Sequence, residues 1–316
     1  MENLIKTELL IRVAKLYYED NLSQSEIAKI LGFSRPHISK LIGDARALGI
    51  VNIQIHDSLQ TESSLERKIR LRFNLLRVFA VSYKPNEQVH TKVGVLGAKY
   101  LNSIVKPGDI VCVGGGNTVY HCANHMAQRD DLDNMTVVQM DGSMISLKHD
   151  MYTQHSPKLI ADAWGGTPLF FPVPFIVCNE EIKNALFRDE NIAAVAKKQD
   201  EATIALFTVG GTGMGRSMSA VQSNFLLPEQ IEKMIQQGLV GNIGGHFLAK
   251  DGSILDSELD KRVLSLQLGK LRRKPYRICL AAGRSKYEAV YAALTAGIIN
   301  VLIVDMDMAK AISIMI

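Results

Sequence analysis

From residue 77 onwards, short runs of valine, isoleucine and leucine alternate with stretches of helical periodicity, and this alternation limits the possible folds more than any other feature. Strands are predicted at 77–82, 109–113, 135–140, 203–209, 277–281 and 300–304, and helices at 88–105, 117–128, 156–164, 179–198, 228–237 and 285–296. Continuously apolar strands are typical of a parallel sheet that helices cover on both faces. We therefore predict an α/β domain with a Rossmann-like parallel sheet over most of the chain.

The first 56 residues follow a different pattern, which predicts a small helical domain. Helices are predicted at 1–20, from 24 to about 31, and from an N-cap at Ser34 to about 48. Ser23 and Glu26 form a capping box at the start of the second helix, and Gly32 permits a tight turn after it. Ala28 allows the second and third helices to cross closely. This spacing predicts a helix-turn-helix, the motif that inserts its second helix into the major groove of DNA.

Polar residues early in the third helix are the candidates for DNA contact: Ser34, Arg35, His37, Ser39 and Lys40. Arginine can pair bidentately with guanine, while serine and lysine suit phosphates or base edges. An ordinary helical hairpin with a solvated polar face is the alternative. The complete spacing argues against that alternative, as does the scarcity of acids, since Asp44 is the only one between residues 34 and 48. We expect operator DNA as a partner.

Two features lie between the helical domain and the predicted sheet. Val51, Ile53 and Ile55 alternate with polar residues, which predicts a short strand and a winged-helix-like domain over 1–56. Residues 57–316 then form a linker helix and the α/β domain. The linker helix has one apolar stripe, made of Leu65, Ile69, Phe73 and Leu76. This stripe is expected to pack on its own domain or to serve a subunit interface.

Glycine-rich loops follow three of the predicted strands, at 114–118, 210–215 and 283–286. Such loops can cradle an anion with backbone N–H groups, although the loop at 114–118 alone is equally consistent with a tight turn and Lys286 alone with a solvated helix residue. The stretch from Gly210 to Ser217 nearly matches a nucleotide P-loop, but Arg216 replaces the lysine and no clear helix follows. Neither the loop at 114 nor the loop at 210 fits the dinucleotide motif GxGxxG. A fourth glycine cluster, at 241–252, contains His246. The sequence predicts no cofactor.

Composition excludes several other classes of protein. The net charge of +4 is compatible with a nucleic-acid partner without indicating one. The four cysteines, Cys112, Cys122, Cys178 and Cys279, form no CxxC pair, so we expect buried reduced thiols and no metal site. No apolar run approaches the roughly 20 residues that span a membrane. We expect a cytoplasmic protein with no membrane partner.

The order of these motifs resembles the SorC family of bacterial regulators, also called DeoR-like sugar sensors. The resemblance spans nearly the whole chain and includes the segments LSQSEIAKILGFSRPHISKLI, PGDIVCVGGGNT, IALFTVGG, GNIGGHFLAKDG and AAGRSKYEAVYAALTAGIINVLIVD. It implies a helix-turn-helix joined to an α/β domain similar to sugar-phosphate isomerases and deaminases. It also implies a phosphorylated sugar as effector, a dimer or tetramer, and control of a carbohydrate-utilisation operon.

The glycine loops and the resemblance together give the candidate effector-binding residues: Gly114, Gly116, Asn117, Thr118, Asp141, Gly210, Gly211, His246 and Lys286. Thr118, Gly210 and Lys286 keep the family pattern, whereas Asn117, Asp141 and Ala249 depart from it. The phosphate-binding end is thus expected to be retained and the end that binds sugar hydroxyls to be altered.

An enzyme acting on sugar phosphates is the main alternative to a regulator. Isomerases and deaminases need a general base with a tuned pKa beside the reacting carbon. Acids occur near the loops, but no base with an orienting partner can be identified, so we predict no catalytic residues and no enzymatic activity. A regulator whose sensor domain has lost its ligand is a further alternative. Symmetric operators favour an even number of subunits.

Overall fold

The computed structural model describes residues 2–51, 62–85, 87–143, 150–212 and 226–316. The chain divides into two compact units, Met1–Gln60 and Thr61–Ile316. The boundary predicted between residues 56 and 57 lies outside the described residues and stays a prediction. The strand predicted at 51–55 also stays a prediction, because residues 52–55 are not described.

Three helices make up the described part of the N-terminal unit: α1 (Glu2–Tyr18), α2 (Gln24–Leu31) and α3 (Arg35–Ala47). The predicted capping box is present, with the Ser23 side chain accepting from the backbone of Glu26 and the Glu26 side chain accepting from that of Ser23. Gly32 ends α2 in the left-handed region, at φ +73°. Ser34 caps α3, as predicted, and the helix begins at Arg35.

The three helices enclose a common apolar core. Its fully buried members come from all of them: Leu10, Val13, Ala14, Ile27, Ala28, Ile38, Leu41, Ile42 and Ala45. Ala28 is in this core, as its predicted role at the crossing of α2 and α3 requires. The core fixes which side of α3 faces inward, and so which side faces solvent.

The C-terminal unit contains the predicted parallel sheet. Its seven described strands are β1 (Arg77–Val81), β2 (Ile110–Val113), β3 (Thr136–Gln139), β4 (Thr167–Leu169), β5 (Ile204–Phe207), β9 (Tyr276–Ala281) and β10 (Val301–Asp305). They are all parallel and lie in the order β1-β10-β9-β5-β2-β3-β4. The six strands predicted from the sequence are confirmed, and β4 was not predicted.

A second, antiparallel sheet was also not predicted. It consists of β6 (Gly210–Gly211), β7 (Leu239–Ile243) and β8 (His246–Ala249). Two of the glycine clusters supply its strands. The P-loop alternative therefore fails structurally, because the first glycines of that segment enter a strand that pairs with β7.

The described helices of the C-terminal unit are α4 (Ser64–Phe73), α5 (Val89–Ile104), α6 (Asn117–Ala123), α7 (Asp150–Ala163), α8 (Glu180–Leu186), α9 (Glu190–Glu201), α10 (Pro228–Gln236), α11 (Ser257–Asp260), α12 (Leu268–Leu271), α13 (Tyr287–Thr295) and α14 (Met306–Ile314). A 3₁₀ turn, Arg284–Lys286, precedes α13. No helix among the described residues is both long enough and apolar enough to cross a membrane.

Several helix predictions need correction. The single helix predicted at 179–198 is two helices, because the Asp189 side chain caps a new start at Glu190. The helix predicted at 117–128 ends at Ala123, and α14 was missed. Leu76 lies beyond the Asn74 cap of α4 and is 51% exposed, so it does not continue the stripe whose centre, Ile69, is fully buried.

The expectation of four buried thiols is wrong for one cysteine. Cys112, Cys122 and Cys279 are buried, whereas Cys178 is exposed. All four are free thiols, and burial raises the pKa of Cys112 and of Cys279 to about 12.

Candidate functional site

In the N-terminal unit, the outward face of α3 carries the residues predicted to contact DNA. Arg35, His37, Ser39 and Lys40 are exposed, while Ile38, Leu41 and Ile42 of the same helix are buried. The helix thus presents two cationic groups, a hydroxyl and an imidazole to solvent and anchors its opposite side in the core.

Two contacts define the start of α3. The Ser34 hydroxyl accepts a hydrogen bond of 3.4 Å from the His37 N–H, so this side chain serves as the helix cap. The ring of Phe33, a residue that the sequence reading did not select, lies 5.0 Å from the His37 ring between centroids and is 38% exposed. An exposed aromatic ring beside His37 restricts where that imidazole can point.

In the C-terminal unit, the chain reverses its direction across the sheet between β2 and β5. From β2 the strands proceed outwards to β3 and β4, and the chain then returns to place β5 on the other side of β2, with β9 and β10 beyond it. Open α/β sheets bind ligands at such a switch point, outside the carboxyl ends of the strands. The glycine-rich turns after β2, β5 and β9 all lie at this edge of the sheet.

These three turns approach one another closely. A Cβ atom added at Gly116 would overlap the Cγ2 of Thr208, and one added at Gly211 would overlap the carbonyl oxygen of Ser285 and come within 3.0 Å of the Lys286 Cα. Gly116 also has a φ of +131°, which side chains rarely adopt. The turns at 114–118 and 283–286 therefore lie against the start of the loop at 210, as predicted. Residues 213–215 of that loop lie outside the described part of the chain.

Lys286 is a cationic residue of the turn that follows β9, at the carboxyl ends of these strands. Its ammonium donates a hydrogen bond of 3.1 Å to the Thr208 hydroxyl. The residue is half-buried, and desolvation of its ammonium lowers the pKa of Lys286 to about 8. A buried cation of this kind favours an anionic partner, because an anion would offset the cost of its desolvation.

Thr118 is fully buried in the first turn of α6, directly after Gly116 and Asn117. Its hydroxyl lies 3.0 Å from the Nδ1 of His90, a residue in the first turn of α5 that the sequence reading missed. Burial lowers the pKa of His90, and the nearby positive charges of Lys286 and His121 lower it further, whereas Asp305 opposes them. No sequence motif indicates His90, because its partner lies 28 residues away in the chain.

Asp141 lies just after the carboxyl end of β3, beside the glycine-rich turn that follows β2. Its side-chain oxygen accepts a hydrogen bond of 3.3 Å from the Gly115 N–H, which ties the first glycine turn to the end of β3. Burial raises the pKa of Asp141 to about 7, and the Gly115 N–H partly offsets this effect. The neighbouring Ser265 hydroxyl is buried and has no hydrogen-bond partner among the described residues.

His246 lies in the small sheet, where its side chain is buried. Its Nδ1 is 2.6 Å from a carboxylate oxygen of Asp260, while its Nε2 has no hydrogen-bond partner among the described residues. The turn that precedes His246 lies close to Asp141, since a Cβ added at Gly244 would lie 3.9 Å from the Asp141 Cβ. Gly210, the remaining candidate, pairs with Asn242 in the same sheet.

A separate cavity of about 510 Å³ lies in the C-terminal unit among α8, α10 and α11. Cys178, Lys233, Glu258 and Arg262 line it together with neighbouring residues, and none of the candidate effector-binding residues does. Within the described residues, no group of three or more histidine, cysteine, aspartate or glutamate side chains is arranged to hold a metal ion.

Comparisons with known proteins agree with this architecture. Residues 57–313 match the family model of a sugar-binding domain, Sugar-bind. The deoxyribonucleoside regulator of Bacillus subtilis (strain 168) is 30% identical over 310 residues, which cover 97% of this chain and 97% of the relative. The sorbitol operon regulator of Klebsiella pneumoniae is 25% identical over 315 residues, covering 98% of this chain and 99% of the relative.

Solved structures have the same fold. The crystal structure of the full-length sorbitol operon regulator SorC from Klebsiella pneumoniae superposes with a TM-score of 0.74 at 24% identity and covers 97% of this chain and 98% of its own. The sugar-binding domain of a transcriptional repressor from Vibrio fischeri gives a TM-score of 0.70 at 27% identity, over 79% of this chain and 98% of its own.

These relatives are regulators, which confirms the expectation that the chain is a regulator and not an enzyme. The match to the sugar-binding domain and the similarities over nearly the full length show that the chain belongs to the SorC family of transcriptional regulators.

Proposed function

We propose that the protein binds operator DNA through the outward face of α3, and that a phosphorylated sugar bound at the carboxyl ends of β2, β5 and β9 changes its DNA affinity. The observation that carries the proposal is the meeting of three glycine-rich turns around the buried ammonium of Lys286.

The phosphate end of the site is argued from charge and hydrogen bonding. Lys286 supplies a positive charge, Thr118 supplies a hydroxyl, and the first turn of α6 has N–H groups without partners inside the helix. Charge-assisted hydrogen bonds to a phosphate are stronger than bonds between neutral groups. Side chains are excluded at Gly116 and Gly211 by the close packing of the turns, so backbone groups line this part of the edge.

The sugar end is argued from Asp141. A carboxyl group with a pKa of about 7 can accept a hydrogen bond from a sugar hydroxyl when ionised and donate one when protonated. The buried Ser265 hydroxyl beside it can do both. Because Asp141 departs from the family pattern, this end is expected to select a sugar different from those bound by other members.

DNA binding is argued from the exposed side chains of α3. Arg35 and His37 in its first turn are placed to reach base edges, and Lys40 one turn later suits a phosphate. We further propose a dimer or tetramer, because symmetric pairs of helix-turn-helix units bind two half-sites roughly 34–36 Å apart, or multiples of that distance. A monomeric mass in light scattering, at concentrations that bind a DNA site selected from a randomised library, would contradict the oligomer.

The ligand is tested first by melting temperature. Ribose 5-phosphate, glucose 6-phosphate and fructose 6-phosphate are compared with the corresponding unphosphorylated sugars. A compound present at 100 times its Kd adds about 2.7 kcal/mol to stability, which a thermal scan detects. Stabilisation by a phosphorylated compound and not by its unphosphorylated form is expected.

The switch is tested with two classes of variant. Thr118→Val and Lys286→Ala should bind the selected DNA site normally and lose the response to the stabilising sugar phosphate. Arg35→Ala should lose DNA affinity and keep the thermal stabilisation. If Thr118→Val and Lys286→Ala both respond at wild-type concentrations, the effector binds elsewhere, and the cavity near Arg262 becomes the next candidate. If no sugar phosphate stabilises the protein, the sensor has lost its ligand.

A further inference from the structure

We propose that His90 is a positioning residue of the effector site, which changes from acceptor to donor toward Thr118 when a phosphate binds, so that effector binding takes up a proton. This inference rests on the proposed function. It concerns a residue that lies outside the glycine turns and that neither the sequence motifs nor the relatives assign to the site.

Thr118 has a single hydroxyl proton, which it can donate either to His90 or to a bound phosphate. Thr118 Oγ1 carries a single proton and lies 3.0 Å from His90 Nδ1. The hydroxyl can donate that proton to the imidazole or to a phosphate oxygen, but not well to both. When a phosphate takes the Thr118 proton, the contact with His90 persists only if Nδ1 itself carries a hydrogen and donates it to Oγ1.

The second step concerns how Nδ1 acquires its hydrogen. A shift of the neutral ring to its other tautomer would suffice, and so would protonation to the imidazolium. A phosphate monoester beside Lys286 brings up to two negative charges, because its second pKa is near 6. These charges favour the imidazolium, which carries hydrogens on both ring nitrogens.

The third step is the electrostatic balance before the ligand arrives. The ring of His90 is half-buried, and Lys286 places positive charge near it, so its pKa is lowered and the neutral form prevails at pH 7. His121 repels the imidazolium only when it is itself protonated, and burial lowers the pKa of His121 as well. Asp305, at the end of β10, is the acidic group that opposes them. A bound phosphate reverses this balance, because it offsets the charge of Lys286 and adds its own attraction for a proton.

The sign of the pH dependence follows. The pKa of His90 is low in the free protein and higher in the complex, so the contribution of the imidazolium to binding is complete below the free-state pKa. It is lost as the pH rises through the pKa of the complex. The His90 contribution to effector affinity should therefore decrease as the pH rises above the free-state pKa, and the proton uptake that His90→Asn removes should be largest between the two pKa values.

The test uses the full-length protein and inorganic phosphate, with ribose 5-phosphate as a second probe. Titration calorimetry in buffers of different ionisation enthalpy measures the protons taken up on binding. His90→Asn keeps an amide that can donate or accept at the position of Nδ1 but cannot titrate. We expect this variant to bind phosphate near pH 8 as the wild type does, to take up no proton through residue 90, and to bind more weakly than the wild type at pH 6, where the imidazolium of the wild type contributes to binding.

Three comparisons make the result decisive. His90→Phe removes the hydrogen bond and should weaken binding at every pH, whereas a purely structural His90 would give the same pH profile in His90→Asn as in the wild type. His125→Asn, an exposed histidine at the end of α6, should keep the wild-type profile. The NMR titration of the His90 ring, assigned with His90→Asn, should show its pKa rising when phosphate is added.

The outcomes separate this inference from the proposed function. Phosphate binding that Thr118→Val abolishes, combined with equal proton uptake in the wild type and in His90→Asn, would overturn the inference alone. Phosphate binding that Thr118→Val leaves unchanged, or no binding of either probe, would overturn the proposed site and the inference with it.

Discussion

The Lys286 ammonium donates a hydrogen bond to the Thr208 hydroxyl across 3.1 Å, and so joins the turn after β9 to the turn after β5. The two strands are neighbours in the sheet, but the residues are 78 positions apart in the chain. A neutral hydroxyl satisfies only one of the three ammonium donors. The contact therefore positions the cation without neutralising it, which leaves its charge available to an anion.

Lys286→Met should stabilise the protein without ligand while removing its response to phosphate. Burial lowers the pKa of Lys286 from 10.5 to about 8, so at pH 7 the folded state holds a charged group that is more favourable in the unfolded chain. We expect the free energy of unfolding at pH 7 to rise by about 1–3 kcal/mol in urea titrations. In the wild type, stability should increase between pH 8 and 10, because the unfolded lysine binds more protons there, and Lys286→Met should lack this increase. A variant less stable than the wild type at pH 7 would contradict the assignment of a costly buried charge.

Asp141→Asn should also raise the free energy of unfolding, but its effect should grow as the pH rises, whereas the effect of Lys286→Met should shrink. Burial raises the pKa of Asp141 from 3.8 to about 7, so the folded state favours the protonated acid. That advantage is complete below pH 4 and is lost as the pH rises through 7. The asparagine keeps an acceptor for Gly115 and carries no charge, so at pH 8 the variant should be more stable by about 2–4 kcal/mol, and the difference should shrink towards pH 5.

The matched control is Asp130→Asn, which changes an exposed aspartate in the same unit. It should alter the free energy of unfolding by less than about 0.5 kcal/mol at either pH. Equal stability of wild type and Asp141→Asn at pH 5 and pH 8 would show that Asp141 ionises as an ordinary surface aspartate.

The main sheet was predictable because its central strands are buried on both faces. A segment such as 301–304 of β10, with every residue buried, has to be continuously apolar, and this pattern is visible in the sequence. The edge strand β4 has three residues and includes Pro168, which edge strands tolerate and sequence patterns do not reveal. The strand β6 consists of two glycines that pair with residues about 30 positions later, so the local sequence indicates only a loop.

The site was predictable where its residues follow strands directly. Thr118 and Lys286 stand just after glycine turns, and parallel strands bring such turns to one edge of a sheet. His90 was not predictable, because its significance comes from a partner 28 residues away that packing alone brings within 3.0 Å. For His246, the glycine cluster at 241–252 indicated the residue itself. Nothing in the local sequence indicated that the Asp260 carboxylate would contact its Nδ1.

Arg35→Ala and Lys40→Ala should weaken DNA binding in different ways. If Arg35 pairs with a base, its loss should cost about 1–3 kcal/mol on the selected site and relax the sequence preference at one position. Loss of a phosphate contact at Lys40 should weaken binding to all sequences and reduce the slope of log K against log salt by about 1. Fluorescence anisotropy at several salt concentrations measures both effects. Lys99→Ala, which removes an exposed cation from α5, is the control and should leave affinity and slope unchanged.

Gly211→Ala should disturb the site by separating two of its turns. The added Cβ would overlap the carbonyl oxygen of Ser285 and come within 3.0 Å of the Lys286 Cα, and both are backbone atoms that cannot rotate away. Overpacking of this kind typically costs about 1–3 kcal/mol. Because the backbone that moves carries Lys286, we expect the Kd for inorganic phosphate to rise by about tenfold or more. Gly269→Ala is the matched control, since its Cβ would meet nothing within 4 Å. That variant should bind phosphate normally, and a normal Kd in Gly211→Ala as well would mean that the contact between the two turns has no part in effector binding.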